Sequence, residues 1–373
     1  MPAVNLLIKP ASSLCNMRCR YCFYADVSDH RCVPSYGMMT TDTLEQIVEK
    51  AFAYATGSAG FAFQGGEPTL VGLDFYRTLI RLQKKYNTKG LRVYNSIQTN
   101  GLNLDDDWFR FFAEQHFLVG LSMDGTRDVH NALRPDTTDA GTYDAVARTA
   151  ARMKQFGVDY NILCVVSDPV ARHPQKVYHN LKSHGFLQFI PCLDGLDGKP
   201  AAYSLTPERY ASFLCTTFSL YYQDFMNGRY VSIRNFDNYI QMLLGRPPEN
   251  CAMNGCCTCY FVIEGDGSVF PCDFYVLDQW KLGNIHTDSL QAMQESDLAR
   301  QFVDQSRPID PACRACRYYP LCRGGCRRER EPFANGRPGL NRLCESHRIF
   351  FDTCIDRMEI MAQQLRRQRT TPF

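Results

Sequence analysis

The stretch "NLLIKPASSLCNMRCRYC", residues 5–22, joins a short β-rich run to three cysteines, Cys15, Cys19 and Cys22, spaced C-x3-C-x2-C. A strand that runs into a loop of metal-ligating residues puts chemistry at its C-terminal end, where sheets and barrels built from βα units keep their active sites. Three thiolates on one loop can hold a metal, but a closed tetrahedral site takes four ligands. Two completions stand. One is zinc with a distant His or Cys. The other is a four-iron cluster with one iron left open to a substrate. Zinc motifs usually come as paired C-x2-C knuckles, and no second knuckle lies near this loop, which favours iron.

Outward from this stretch, residues 5–190 alternate between apolar β-rich runs and helical periodicity. The strands are "NLLIK" (5–9), "GFAF" (60–63), "LRVYNSIQ" (91–98), "FLVGLS" (117–122), "VDYNILCVV" (158–166) and "FLQFI" (186–190). Helices are expected near 42–55, 74–86, 105–115, 142–156 and 171–183, the first with Asp42 and Glu45 as a capping box. Near-continuous apolar strands read as parallel and covered on both faces. Six strand–helix units with right-handed crossovers predict an α/β fold, a partial (β/α)6 barrel. Polar or glycine-rich segments follow the first four strands: the cysteine loop, "QGGEP" (64–68), "QTNG" (98–101) and "SMDG" (122–125). After residue 200 a helix starts at Thr206 and Pro207, another runs near 236–244, and "FVIEGDGSVFPC" (261–272) reads as a hairpin turning at Gly265 and Gly267. The expected division is 1–235, the barrel and its following helix, and 236–373, a cysteine-rich domain with a C-terminal helix.

The chain has 373 residues, 45% hydrophobic and 21% charged, with a formal net charge of +2. That balance argues for no nucleic-acid partner and no anionic membrane surface. The N-terminus shows no basic segment followed by an apolar one, and no apolar run approaches the roughly 18 residues of a membrane span. A cytoplasmic protein is therefore expected. Eighteen cysteines are many for such a chain. Clustered in pairs and triplets in a reducing compartment, they point to metal or redox chemistry rather than disulfides.

A second constellation lies between Cys251 and Cys344. "CRACRYYPLCRGGC" spaces Cys313, Cys316, Cys322 and Cys326 as C-x2-C-x5-C-x3-C. A pair of zinc ribbons would also satisfy that spacing. Six arginines crowd this set: Arg314, Arg317, Arg323, Arg327, Arg328 and Arg330. They read first as a solvated basic face. Cys164 and Cys215 sit in apolar contexts and read as core residues.

C-x3-C-x2-C with Tyr21 before its last cysteine, followed by "GGEP" after the second strand, resembles the radical S-adenosylmethionine (SAM) superfamily. The later cysteines resemble the SPASM extension of its peptide-modifying members. At closer range "LLIKPASSLCNMRCRYCFY", "FAFQGGEPTL", "QTNG", "FLVGLSMDG", "GDGSVFPCDFYV" and "CRGGCRR" resemble anaerobic sulfatase-maturating enzymes, through about residue 350. The resemblance implies three 4Fe–4S clusters and SAM. Cys15, Cys19 and Cys22 would hold the SAM-binding cluster. Cys251, Cys257, Cys272 and Cys326 would hold one auxiliary cluster, with Cys256 and Cys259 as rival ligands, and Cys313, Cys316, Cys322 and Cys344 the other. Tyr21, Gly66, Ser122, Arg134 and Leu193 would bind SAM, and Asp273, beside Cys272, would be the catalytic base. Gln64, Gln98 and Asn100 fall on the same rim. The implied reaction oxidises a cysteine or serine in an unfolded or nascent sulfatase peptide with the motif C/S-x-P-x-R to Cα-formylglycine. A flavodoxin or ferredoxin would supply electrons, and the enzyme would act as a monomer. The runner-up is a SPASM-type maturase that crosslinks a ribosomal peptide. Many of those carry an extra N-terminal recognition domain, for which a first strand near residue 5 leaves no room. A non-catalytic iron–sulfur or zinc protein would explain neither "GGEP" nor the open three-cysteine site.

Overall fold

The computed structural model describes residues 3–333 and 336–370. Six parallel strands follow one another in chain order: β1 Val4–Ile8, β2 Ser58–Phe63, β3 Arg92–Thr99, β4 Leu118–Ser122, β5 Tyr160–Val166 and β6 Phe186–Pro191. The helices Thr41–Tyr54, Leu73–Tyr86, Asp106–Glu114, Tyr143–Phe156 and Pro174–Leu181 make the crossovers. The expected six-unit partial barrel is therefore present. Edge strand β7 Ser232–Ile233 pairs with β6.

On the other side the sheet continues past β1. β8 Phe261–Ile263 pairs in parallel with β1, and the expected hairpin returns as β9 Ser268–Phe270. β10 Gly283–Asn284 then adds antiparallel to β9. One ten-stranded sheet thus runs across the 235/236 division.

The strands are not covered alike on both faces. On β2, Phe61 and Phe63 pack against Phe52, Phe75 and Tyr76 of the crossover helices. On the opposite face Ser96, Gln98, Asn161 and Gln188 line a cavity of about 1300 Å³. The barrel is incomplete, so its inner face meets a hollow, where a polar side chain such as Gln98 stays exposed.

Helix starts follow their caps. Thr206 accepts from Arg209 N at 3.3 Å with Pro207 behind it, as expected. The Asp42–Glu45 capping box is not formed. Thr40 caps that helix, its Oγ1 accepting from Thr43 N at 3.1 Å. Asp42 falls inside the first turn, where its charge still favours the helix dipole, and Glu45 accepts from Lys85 and Tyr86 instead. The helix Cys344–Thr370 closes the molecule against the helices Pro207–Met226 and Arg234–Leu243, with Phe350 stacked 5.6 Å from Phe236 and Phe351 5.0 Å from Tyr239.

Candidate active site

The cysteine loop is held between two neighbours. On one side Gly66 N donates to Ser12 O (2.7 Å) and Glu67 N to Leu14 O (2.8 Å). On the other, Arg18 N and Arg20 N donate to Pro135 O and Leu133 O, both at 2.9 Å. Gly66 must be glycine, because a Cβ there would lie 2.0 Å from Leu14 O. Glu67 is buried, and its carboxylate accepts from Thr69 N and Oγ1, Thr99 Oγ1 and Asn100 N, joining the end of β2 to the end of β3.

The resemblance reading missed Asp124, in "SMDG". It is fully buried. It accepts from Arg134 Nε at 2.9 Å, from Val165 N at 2.9 Å and from the Tyr21 hydroxyl. Arg134 also lies over the Tyr21 ring at 5.3 Å and reaches Cys19 Sγ at 3.8 Å. Tyr21 and Arg134 are thus tied to each other by a carboxylate that lies in the quoted stretch "FLVGLSMDG" but was given no role there. Ser122 ends β4 and Leu193 follows β6, both half-buried on the same rim. Asn100 Nδ2 donates to Asn16 Oδ1 at 2.7 Å and approaches Cys15 Sγ at 3.8 Å. Gln98 faces the hollow.

Asp273 opens a short turn directly after Cys272 and is 6% exposed. Gln64 Nε2 donates to its Oδ2 at 2.9 Å, and Lys9 Nζ lies 2.5 Å from its Oδ1. Its backbone N–H donates to the Tyr260 hydroxyl at 3.1 Å, and that hydroxyl is 3.6 Å from Cys272 Sγ. Lys9 lies in the quoted stretch "LLIKPASSLCNMRCRYCFY" without a role assigned to it, and Tyr260 lies outside every quoted motif.

The cysteines gather into three neighbourhoods. Cys15, Cys19 and Cys22 lie within one another's electrostatic reach. So do Cys251 with Cys257, and Cys257 with Cys272 and Cys326. Cys313, Cys316, Cys322 and Cys344 form the third group. Cys259 stands toward Tyr54, and burial alone pushes its thiol up to about 12. Among the described residues no three His, Cys, Asp or Glu side chains close around a single ion. All-cysteine donor sets suit thiophilic metals, iron–sulfur groups among them. Burial pushes Cys19 up to about 11 and Cys322 to about 12.

The arginines do not form one solvated face. Arg314 and Arg317 are exposed. Arg327 is 3% exposed, inside a cage of Tyr275, Trp280, Phe302 and Phe333 at 4.6–4.9 Å, and donates to Phe302 O. Arg330 is buried too, on Ser306 O. Flat guanidinium groups stack on aromatic rings, which lets them be buried where an ammonium would stay hydrated. Cys164 is a core residue as expected, whereas Cys215 is half-buried against Cys354 and Arg357.

Two family descriptions match the chain: the radical SAM superfamily over residues 10–170 and an iron–sulfur cluster-binding domain, SPASM, over residues 251–317. They describe a radical SAM enzyme with an added cluster domain, in agreement with the partial barrel and the cysteine sets. A cysteine-type anaerobic sulfatase-maturating enzyme of Clostridium novyi is 47% identical over 98% of this chain and 99% of its own length. A serine-type counterpart from Bacteroides thetaiotaomicron is 30% identical over 98% of this chain and 92% of its own. The solved structure of native anSMEcpe with bound AdoMet and Cp18Cys peptide superposes with a TM-score of 0.93 at 45% identity, covering 98% of this chain and all of the other. The chain belongs to the family of anaerobic sulfatase-maturating enzymes.

Proposed function

We propose that this enzyme oxidises the cysteine of a sulfatase peptide with the motif C-x-P-x-R to Cα-formylglycine. Cysteine is preferred to serine here on the greater likeness to the cysteine-type relatives. One observation carries the reading. The segment Gln64–Glu67 touches both halves of the chemistry: Gln64 holds Asp273, and Gly66 and Glu67 hold the cysteine loop. Cys15, Cys19 and Cys22 would hold a SAM-binding 4Fe–4S cluster, with Tyr21, Gly66, Ser122, Arg134 and Leu193 around SAM. Cys251, Cys257, Cys272 and Cys326 would hold one auxiliary 4Fe–4S cluster, and Cys313, Cys316, Cys322 and Cys344 the other. When bound, these groups supply the 5′-deoxyadenosyl radical that removes a hydrogen from the peptide and the sink for the electron left behind. Asp273, held by Gln64 and paired with Lys9, takes the thiol proton of the target cysteine, and water hydrolyses the resulting thioaldehyde to the aldehyde with loss of hydrogen sulfide.

The division at 235/236 is one of chemistry: the N-terminal part binds SAM and the C-terminal part supplies the base and the auxiliary ligands. A flavodoxin or ferredoxin donor, a monomeric enzyme and a cytoplasmic setting complete the proposal. Among the described residues no helix is long and apolar enough to cross a membrane.

The test is anaerobic reconstitution, iron and sulfide counts, then SAM, reductant and a C-x-P-x-R peptide. An aldehyde on the peptide is expected. One zinc per site with no iron, or SAM cleavage with an unoxidised peptide, overturns the reading. In Asp273→Asn, SAM cleavage should persist while the aldehyde yield falls about 100-fold or more, the usual reach of a general base.

A further inference from the structure

Lys9, the last residue of "NLLIK", is fully buried, which is rare for a lysine. Its backbone N–H donates to Ile263 O at 2.8 Å, so it grips β8 of the hairpin that leads to Cys272 and Asp273. Its ammonium lies 2.5 Å from Asp273 Oδ1 and 3.6 Å from the centroid of the Tyr24 ring. Behind it Tyr24 donates to Glu264, whose Oε1 also accepts from Arg31 Nη1 at 2.8 Å. Gly65 clears the passage: a Cβ there would stand 3.3 Å from Lys9 Cβ and 2.9 Å from Ser12 O.

We infer that Lys9 is a positioning residue for peptide oxidation, acting through Asp273; this rests on the reading of Asp273 as the base. The carboxylate swings about two torsions. Gln64 alone would hold one oxygen and leave the other free to turn. With the Lys9 ammonium in ion-pair contact with Oδ1 and Gln64 hydrogen-bonded to Oδ2, the carboxylate is held from both sides. Stability alone is a poor account of the pair, because a buried ion pair often contributes less than an apolar pair of the same volume. Lys9 also touches β1, which carries the cysteine loop, and β8, which leads to the base. One side chain therefore sets the base relative to the SAM side of the rim.

The test uses reconstituted enzyme and a peptide whose cysteine is deuterated at Cβ. In Lys9→Met, peptide affinity and deuterium transfer into 5′-deoxyadenosine should stay within about threefold of wild type. Formylglycine per 5′-deoxyadenosine should fall about 10-fold or more, as small displacements of a catalytic group do. The same change in an Asp273→Asn background should leave that low ratio unmoved. Should Lys9→Met load no iron, Lys9→Arg keeps the charge but misplaces it, and the same loss of coupling is expected. An unchanged ratio in the folded variant, or an equal drop in both backgrounds, overturns the inference. A wild-type enzyme that forms no aldehyde overturns the functional reading instead.

Discussion

Asp124 and His130 show how one buried hydrogen-bond chain holds Arg134 in place. Asp124 N–H donates to His130 Nδ1 at 3.1 Å, and His130 Nε2 meets Thr142 Oγ1 at 3.1 Å. The Thr142 hydroxyl donates to Arg134 O at 2.7 Å. That chain requires a neutral imidazole protonated on Nε2. Burial pushes His130 down to about 4, with Asp124 pulling the other way. An unfolded histidine titrates near 6.5, so between these values the unfolded chain binds more protons and stability falls as the pH drops. From pH 7 to 5.5 the wild-type protein should lose about 1 kcal/mol more stability than His130→Gln, read by denaturant unfolding at both pH values. Little of this was legible. The cysteines stand in a spacing that marks them, and Tyr21 and Arg134 came from the family resemblance, but the roles of Asp124, His130 and Lys9 show only in their contacts.

At the scale of elements, the strands and crossover helices could be read because apolar runs and helical periods leave local traces. Their ends shifted by one to three residues, and Thr40 displaced Asp42 as a cap because a side chain one position outside the first turn reaches its free N–H groups. Two-residue strands such as β7 and β10 leave no period to read. The loops after the strands were legible as chemistry, and "QGGEP" shows why its glycines are needed. The segment passes so close to residues 12–14 that Gly66 has no space for a side chain. Gly66→Ala should push the cysteine loop away, since the clash is with backbone that cannot rotate aside. The expected result is loss of the SAM-binding cluster, about four irons fewer per chain on reconstitution, with the C-terminal cysteine sets still loaded. Iron and sulfide analysis reads this directly, and full loading of the variant would show that the loop tolerates the shift.

The whole molecule behaves as one body because its sheet ignores the functional division. β1 is hydrogen-bonded on one side to β2 and on the other to β8, with Leu6 opposite Phe261 and Ile8 opposite Ile263. A pairing between residues some 250 positions apart leaves no local pattern, which is why the hairpin was legible and its place beside β1 was not. The helix Cys344–Thr370 seals the far end, its Phe350 also 5.7 Å from Phe218 of the helix Pro207–Met226. Ending the chain at residue 235 would strip β1 of β8, expose the Phe218 cluster and remove the Asp273 partner of Lys9. Unpaired strand edges and exposed apolar clusters are costly against a typical domain's stability of about 5–15 kcal/mol. A fragment of residues 1–235 should therefore show no cooperative thermal transition and should be digested by protease at concentrations that leave the full chain intact. A cooperative, protease-resistant fragment would mean that the barrel folds alone and the cluster domain only docks onto it.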